Sequence, residues 1–463
     1  MSKITIDPVT RIEGHAKIDL LLNAEGKVAD AHFHVTQVRG FEKFCEGRPY
    51  YEMPSITARI CGICPVSHLL ASAKACDAIM AVAPPEAGLK LRRLLHCAQF
   101  VQSHALSFFH LSAPDLLLGF DSDPARRNIF GLIEEQPELA RMGIALRKFG
   151  QQAIEGMAQE RVHPSWVVPG GVNAPLAPAV RESILAGLPE ALAIAGKTMA
   201  HFKGILERFP EEIAHFGSAP TLYAALVDDG GALDWYDGRL LFKQADGAIA
   251  AAGIRAQDYG LFVGEASLRD SYLKAPYFKP LGYPDGVYRV GPLARLNVAT
   301  VTGTPRADRE LEEFRQRFGP VVHGAFHYHY ARLIELLHAL EAMEMLLADA
   351  AILNPRVRSR AGVNALEGIG MIEAPRGTLI HHYKVDESGA MRWANLIVAT
   401  GHNNLAMNRA ITEVARHFVN GAEIREGMLN RVSAVVRAFD PCLSCSTHAD
   451  GTLDLEIRII SPN

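Results

Sequence analysis

The sequence predicts an α+β protein, predominantly α: a bundle of long helices with a small N-terminal β-sheet and peripheral hairpins. Three observations carry this prediction. Apolar residues recur at helical spacing, at Leu91, Leu94, Leu95, Val101 and Ala105 and again at Leu333, Leu336, Leu337, Leu340, Met343 and Leu347. The opening segment alternates instead with a period of two. At 463 residues, 49% apolar and 21% charged, the chain can bury a large core, which excludes disorder.

Taken in order, residues 1–40 form the sheet portion. In residues 17–23 Ile18, Leu20 and Leu22 point to one side, Ala24-Glu25-Gly26 supplies a turn, and residues 27–35 return. From Pro65 onward the period shifts to that of a helix. Pro169-Gly170-Gly171 and residues 276–292 break helices and read as loops. Residues 378–397 read as a hairpin turning at Asp386-Glu387-Ser388-Gly389, and residues 453–460 as a final strand. Length alone allows about two to four domains. The Pro/Gly passages punctuate rather than separate, however, so residues 1–463 are expected to form one unit.

A net charge of −4 invites neither nucleic acid nor an anionic membrane. No run approaches the roughly 18 to 20 apolar residues of a spanning helix, and the first residues lack the basic-then-apolar pattern of a secretory signal. A cytoplasmic, reducing location is expected. There the seven cysteines are thiols or ligands rather than a disulfide framework.

Four of them form two Cys-x-x-Cys pairs. The first lies in Arg59-Ile60-Cys61-Gly62-Ile63-Cys64-Pro65-Val66-Ser67-His68, where Pro65 suits the first turn of a helix whose dipole favours thiolate. The second lies in Asp440-Pro441-Cys442-Leu443-Ser444-Cys445-Ser446-Thr447-His448. Four thiolates suit a soft metal, and zinc ribbons draw their halves from one local unit rather than from opposite chain ends. A structural zinc joining the termini and a buried catalytic metal both remain open. Glu13, Arg59, His68, Asp440 and His448 accompany the pairs, and such charged company favours chemistry.

With both motifs complete, the chain resembles the large subunit of nickel-iron hydrogenases. The same resemblance extends through Asp7-Pro8-Val9-Thr10-Arg11-Ile12-Glu13-Gly14-His15, Arg39-Gly40-Phe41-Glu42, Val168-Pro169-Gly170-Gly171-Val172, Arg289-Val290-Gly291-Pro292-Leu293-Ala294-Arg295 and Glu373-Ala374-Pro375-Arg376-Gly377. Within the family it is similar to the cytoplasmic, NAD-reducing, bidirectional type. No complete dinucleotide fingerprint is present, since Gly368-Ile369-Gly370 meets Glu373 where a third glycine belongs. Any NAD must therefore bind another subunit.

The resemblance implies the large-subunit fold and a nickel held by Cys61, Cys64, Cys442 and Cys445, with Cys64 and Cys445 bridging to an iron that carries carbon monoxide and cyanide. It implies Glu13, on an early strand, as the proton acceptor beside Cys442. It also implies Arg376, following Pro375, over the open edge of the metal pair and oriented by Asp115 and Asp440. Glu42 and His448 would bind magnesium, and Thr400 a cyanide. On residue chemistry alone Glu13 is an exposed carboxylate, Asp115 a helix cap, Thr400 a strand-end hydroxyl and His448 a tail histidine. His323, His327 and His329 read as packing or partner surface, Cys76 and Cys97 as buried small hydrophobes, and Cys45 as undecided but near the site.

A hydrogen-splitting centre must export electrons, and no further cysteine set here can hold an iron-sulfur cluster. The resemblance therefore implies two partners, a diaphorase module and an iron-sulfur small subunit, with the iron-sulfur clusters, FMN and NAD confined to them. It implies in addition a maturation protease and nickel-insertion factors, since residues 449–463 follow the second motif as a possible maturation tail. The competing reading is a metal-free or zinc-bearing scaffold of the same fold, or an unloaded precursor.

Overall fold

Alternation in the first forty residues produces the expected sheet, with one strand more than the sequence suggested. In the computed structural model, which describes residues 2–268, 271–419 and 423–448, β2 (Ala16–Leu22) pairs antiparallel with β3 (Val28–Val35), and β1 (Lys3–Ile6) flanks β2. Ile18 and Leu20 sit opposite Phe33 and Ala31, all buried. The expected strand at 453–460 and the tail at 449–463 lie outside the described residues.

The helical periods become long helices: α1 (Pro65–Met80), α2 (Glu86–Ala105), α3 (Pro137–Ala158), α4 (Pro178–Ile205) and α5 (Tyr328–Ala348). Pro65 occupies the first turn of α1 as the motif predicted, because its missing N–H has no helical partner there. Helix α2 packs against α3 and α5. It runs on through a π-helical stretch, Leu106–Ser112, into Ala113–Leu118, which carries Asp115.

A four-stranded sheet that sequence reading missed packs against the short helix Pro292–Val298: β4 (Leu222–Val227), β5 (Arg239–Lys243), β6 (Ile249–Ile254) and β7 (Tyr288–Arg289), in the order β7-β4-β5-β6. It builds a second, smaller core around Leu226, Phe242, Val290 and Ile380. The stretch 276–292, read as loop, is corrected in part. Pro276 belongs to the strand Ala275–Phe278, at the edge of a two-stranded ribbon where a missing N–H is tolerated.

The second hairpin appears as expected, β9 (Gly377–Val385) with β10 (Met391–Ile397), and β8 (Glu367–Ala374) adds a third strand. The glycines that resembled a broken nucleotide fingerprint have a packing role. A Cβ at Gly370 or Gly368 would strike the carbonyls of Ala71 or Ala75, so these glycines let α1 lie directly on β8. That contact fixes the helix whose N-terminus begins at Cys64.

Buried histidines give the fold a defined acid limit. Burial pushes His96 and His329 down to about 3, and His104, His327 and His338 down to about 4. The unfolded chain titrates near 6.5, so these groups leave stability intact above that pH and remove it progressively as pH falls towards 4. Each of these groups then takes up a proton on unfolding. Urea midpoints measured from about pH 7.5 to about pH 4.5 should fall steeply below about pH 6; a flat profile sinks this account.

Candidate metal centre

The four paired cysteines converge. Cys61 Sγ lies 3.3 Å from Cys442 Sγ, and Cys64 Sγ lies 3.3 Å from Cys445 Sγ, across sequence separations of 381 residues each. Cys442 and Cys445 are 2.7 Å apart, and all four sulfurs fall within 4.8 Å of one another, buried and without a disulfide. Local structure explains the placement. Cys61 is extended after the turn Ala58–Ile60, Cys64 caps α1, Cys442 caps the short helix Leu443–Ser446, and Cys445 lies within it.

The two cysteine motifs meet because α7 (Glu426–Phe439), which follows α6 (Asn404–Phe418), stops at Asp440, whose φ of 56° turns the backbone sharply. Opposite it, Glu13 forms a parallel bridge with Cys442, and the Glu13 carbonyl accepts from Leu443 N at 3.1 Å. Gly14 is required there: its φ is +90°, and a Cβ would press on Leu443. Glu13 therefore lies in the connection between β1 and β2 and not on a strand as predicted. Backbone pairing with the second cysteine motif holds it instead.

Its carboxylate is fixed as well. Glu13 Oε2 lies 3.2 Å from Cys442 Sγ and accepts from Ser444 N at 2.9 Å, and Oε1 accepts from the Ser444 hydroxyl. Ser444, an unspecified position of the motif, is a site residue that sequence reading missed.

Arg376 is buried with its guanidinium locked on Asp440: Nε donates to the Asp440 carbonyl at 2.6 Å and Nη2 to Oδ1 at 3.1 Å. Burial opposes this charge. Asp440 and the sulfurs of Cys442, Cys64 and Cys61 outweigh it and hold the guanidinium protonated. Burial raises Asp440 in turn, and its Oδ2 has no protein partner.

Asp115 is corrected. Its carboxylate is taken by Arg11 Nη2 at 2.5 Å, Arg437 Nε at 3.0 Å and Asn430 Nδ2 at 3.0 Å, and the third hydrogen bond of Arg376 goes to Ser103 Oγ at 3.4 Å. Burial works against the Asp115 charge, but Arg437 and Arg11 hold the carboxyl below its ordinary value. Arg11 also reaches Leu111 O, and Arg437 reaches Thr10 O. Asp115 thus pins the N-terminal segment bearing Glu13 to the helix that leads into Cys442. It does not orient Arg376.

The Pro375–Arg376 segment has its own anchor, also missed. Arg295 donates to the carbonyls of Ala374 at 2.9 Å and Pro375 at 3.0 Å, and pairs with Glu373 at 2.7 Å and with both oxygens of Glu335. Burial resists charge on Glu335, yet Arg295 and His104 hold it down at about 2. Arginine suits this role because one planar fork serves two carboxylates and two carbonyls.

Glu42 and His448 come together as predicted, His448 Nδ1 lying 2.7 Å from Glu42 Oε2 while Oε1 accepts from Leu396 N. Thr400 sits in the turn Ala399–His402, and its hydroxyl accepts from Cys442 N at 2.8 Å. Of the remaining candidates, His327 and His329 are buried in aromatic packing and His323 is bonded to Tyr223. Cys76 and Cys97 are buried thiols raised by desolvation; so is Cys45, pushed up to about 12, near Glu42.

The donor set fits a soft metal. Hydrogen bonds from Cys442 and Cys445 hold the Cys64 thiol well below its ordinary value, while burial pushes Cys442 and Cys445 well above theirs. For all four to be thiolates in one dry pocket, a cation would have to lie among them.

Comparisons with known proteins agree with this donor set. A family model described as HoxL-like matches residues 3–38, and one described as nickel-dependent hydrogenase matches residues 39–119 and 227–448. The NAD-reducing hydrogenase HoxS subunit beta of Cupriavidus necator is 42% identical over 99% of this chain and 97% of that protein. A vhu chain of the F420-non-reducing hydrogenase from Methanocaldococcus jannaschii is 42% identical over 90% of this chain and 99% of its own length. A crystal structure of an NAD+-reducing NiFe hydrogenase in the H2-reduced state superposes with a TM-score of 0.94 at 46% identity, covering 97% of this chain and all of that one.

Proposed function

This chain belongs to the nickel-dependent hydrogenase family as a large, catalytic subunit, and we propose that it passes electrons from dihydrogen to NAD in the cytoplasm, by way of an iron-sulfur small subunit followed by a flavin diaphorase. The convergence of four sulfurs from opposite ends of the sequence beside a tethered carboxylate carries the reading. Among the described residues no other group of three or more His, Cys, Asp or Glu gathers as a metal site, which supports an exit for the electrons through a partner. No helix of the described residues is long and apolar enough to cross a membrane.

Cys61, Cys64, Cys442 and Cys445 would together hold a nickel and an iron carrying carbon monoxide and cyanide. When bound, this pair would supply the Lewis acidity that polarises dihydrogen for heterolytic cleavage. The chain's own residues then manage charge. Glu13 Oε2 is within reach of a proton on Cys442 Sγ, and Ser444 keeps it there. Arg376 presents a fixed positive charge that desolvation makes strong, and Asp440 prevents it from swinging away. Thr400 accepts from Cys442 N, so its own hydroxyl proton is available to a cyanide.

Glu42 and His448 offer two ligands for magnesium, the rest of whose octahedron is filled by water. Glu42→Gln should lower bound magnesium in the gel-filtered complex; an unchanged magnesium content ends that assignment.

Elemental analysis with hydrogen-driven NAD+ reduction by the co-purified complex tests the main reading. One nickel and one iron per chain, with NADH formed only under hydrogen, is the expected result. Zinc or no metal, with no hydrogen uptake, would instead identify a scaffold or an unloaded precursor. Intact-mass measurement of the same sample reports whether residues 449–463 have been removed by a maturation protease.

A further inference from the structure

A groove of about 980 Å3 opens between β3 and α6, with Leu268 and Leu405 among its apolar lining. Its charges are unevenly satisfied. The two carboxylates of the described lining are engaged: Glu413 accepts from Ser218 N at 2.8 Å and Ala219 N at 3.1 Å, and Asp30 accepts from Ala31 N at 2.9 Å and lies 3.2 Å from His32 Nε2. Its two arginines, both exposed, meet no carboxylate among the described residues: Arg409 reaches Pro284 O at 3.5 Å, and Arg416 donates to Ala29 O. The described chain ends beside this groove. Thr447 forms an antiparallel bridge with Leu273, and His448 N donates to Tyr272 O at 3.1 Å. The backbone is therefore running towards Ser271, which lines the groove and accepts from Val35 N at the end of β3. In the 15 residues that follow, 449–463, Leu453, Leu455, Ile457 and Ile459 alternate with Asp454, Glu456 and Arg458.

We propose that residues 449–463 dock in the β3–α6 groove as an extended segment, with the leucines and isoleucines turned inwards and the carboxylates of Asp454 and Glu456 turned to Arg409 and Arg416. Each part of the match has a physical cause. In an extended segment successive side chains point to opposite sides, so the apolar row can cover Leu268 and Leu405 while the acidic row stays at the rim. That rim is where the groove holds positive charge without an acidic partner among the described residues. Reach is sufficient, since 15 extended residues span up to about 50 Å. Tethering favours this occupant over a second copy or a partner chain, because a segment joined directly at the edge of the groove stays at roughly millimolar effective concentration. Docked there, the tail straps the second cysteine motif, which ends at His448, to the N-terminal sheet; its removal leaves the groove open.

Thermolysin, which cuts before leucine and isoleucine, reads the docking in the full-length chain once intact mass has confirmed that the tail is retained. Cleavage within residues 449–463 should be slow in the wild type. The double variant Arg409→Glu, Arg416→Glu should speed it roughly ten-fold, the size expected for two exposed ion pairs lost. Adding Asp454→Arg and Glu456→Arg to that variant should restore protection, because the charges are then exchanged rather than removed. Hydrogen exchange needs no arginine variant: the amides of residues 405–417 should exchange faster in a chain ended at His448 than in the full-length chain. Equal cleavage of wild type and double variant, or exchange at 405–417 that ignores the tail, overturns the proposal. Protection that appears only at high protein concentration, or only with the iron-sulfur partner bound, assigns the groove to a second copy or to that partner and overturns it as well. None of these readouts needs nickel, so docking of the tail and hydrogen chemistry can fail separately.

Discussion

A Glu13→Gln enzyme should retain one nickel and one iron per chain and lose between about a hundred-fold and ten-thousand-fold of its hydrogen oxidation, the range a positioned general base supplies. The geometry isolates the chemical role. Gln keeps an oxygen for Ser444 N and keeps the backbone bond from Leu443 N, so the segment beside Cys442 should stay in register. What disappears is the one group 3.2 Å from Cys442 Sγ that can take a proton. Exchange of deuterium gas with solvent protons should fall with turnover, because both need that transfer. Turnover within about two-fold of wild type, far short of what general base catalysis contributes, would show that the proton leaves by another group.

The four converging cysteines were legible in the sequence because thiolate chemistry admits few substitutes and because both pairs lie in complete motifs. Glu13 was legible only through its motif. Its true setting, a bridge to Cys442 made possible by Gly14, depends on contacts between segments more than 400 residues apart that no local pattern encodes. Asp115 shows the limit most clearly. Sequence can say that an aspartate will find an arginine, but Arg11, Arg437 and Arg376 are equally plausible partners until the fold brings the first two to it. The middle sheet was missed for a different reason. Leu222–Val227 is buried on both faces, so its apolar run lacks the alternation that distinguishes a strand from a buried helix. The long helices were legible although α1, α2 and α5 are buried on nearly all sides, because their apolar runs are longer than a strand can be.

Arg295→Met should be the most damaging single change away from the sulfurs, costing about 3–5 kcal/mol in stability, the usual penalty for removing one member of a buried charge network. Glu335 and Glu373 are fully buried, and without the guanidinium two carboxyls are left facing each other in a dry core. Lysine should not rescue, since a single ammonium cannot serve both carboxylates and the carbonyls of Ala374 and Pro375 together. The loss should also reach the metal centre, because those two carbonyls precede Arg376 directly and the slack passes to the Asp440 contact. Denaturant unfolding of the Met and Lys variants, with nickel content measured on the same samples, checks this. If Arg295→Lys is as stable as wild type, the network is a passive ion pair and the Pro375–Arg376 segment must be held by its strand alone. If both variants lose stability and nickel together, the buried fork and the sulfur cluster form one cooperative unit. In that case the conformation of Arg376 is set from the core outward rather than by the metal it faces.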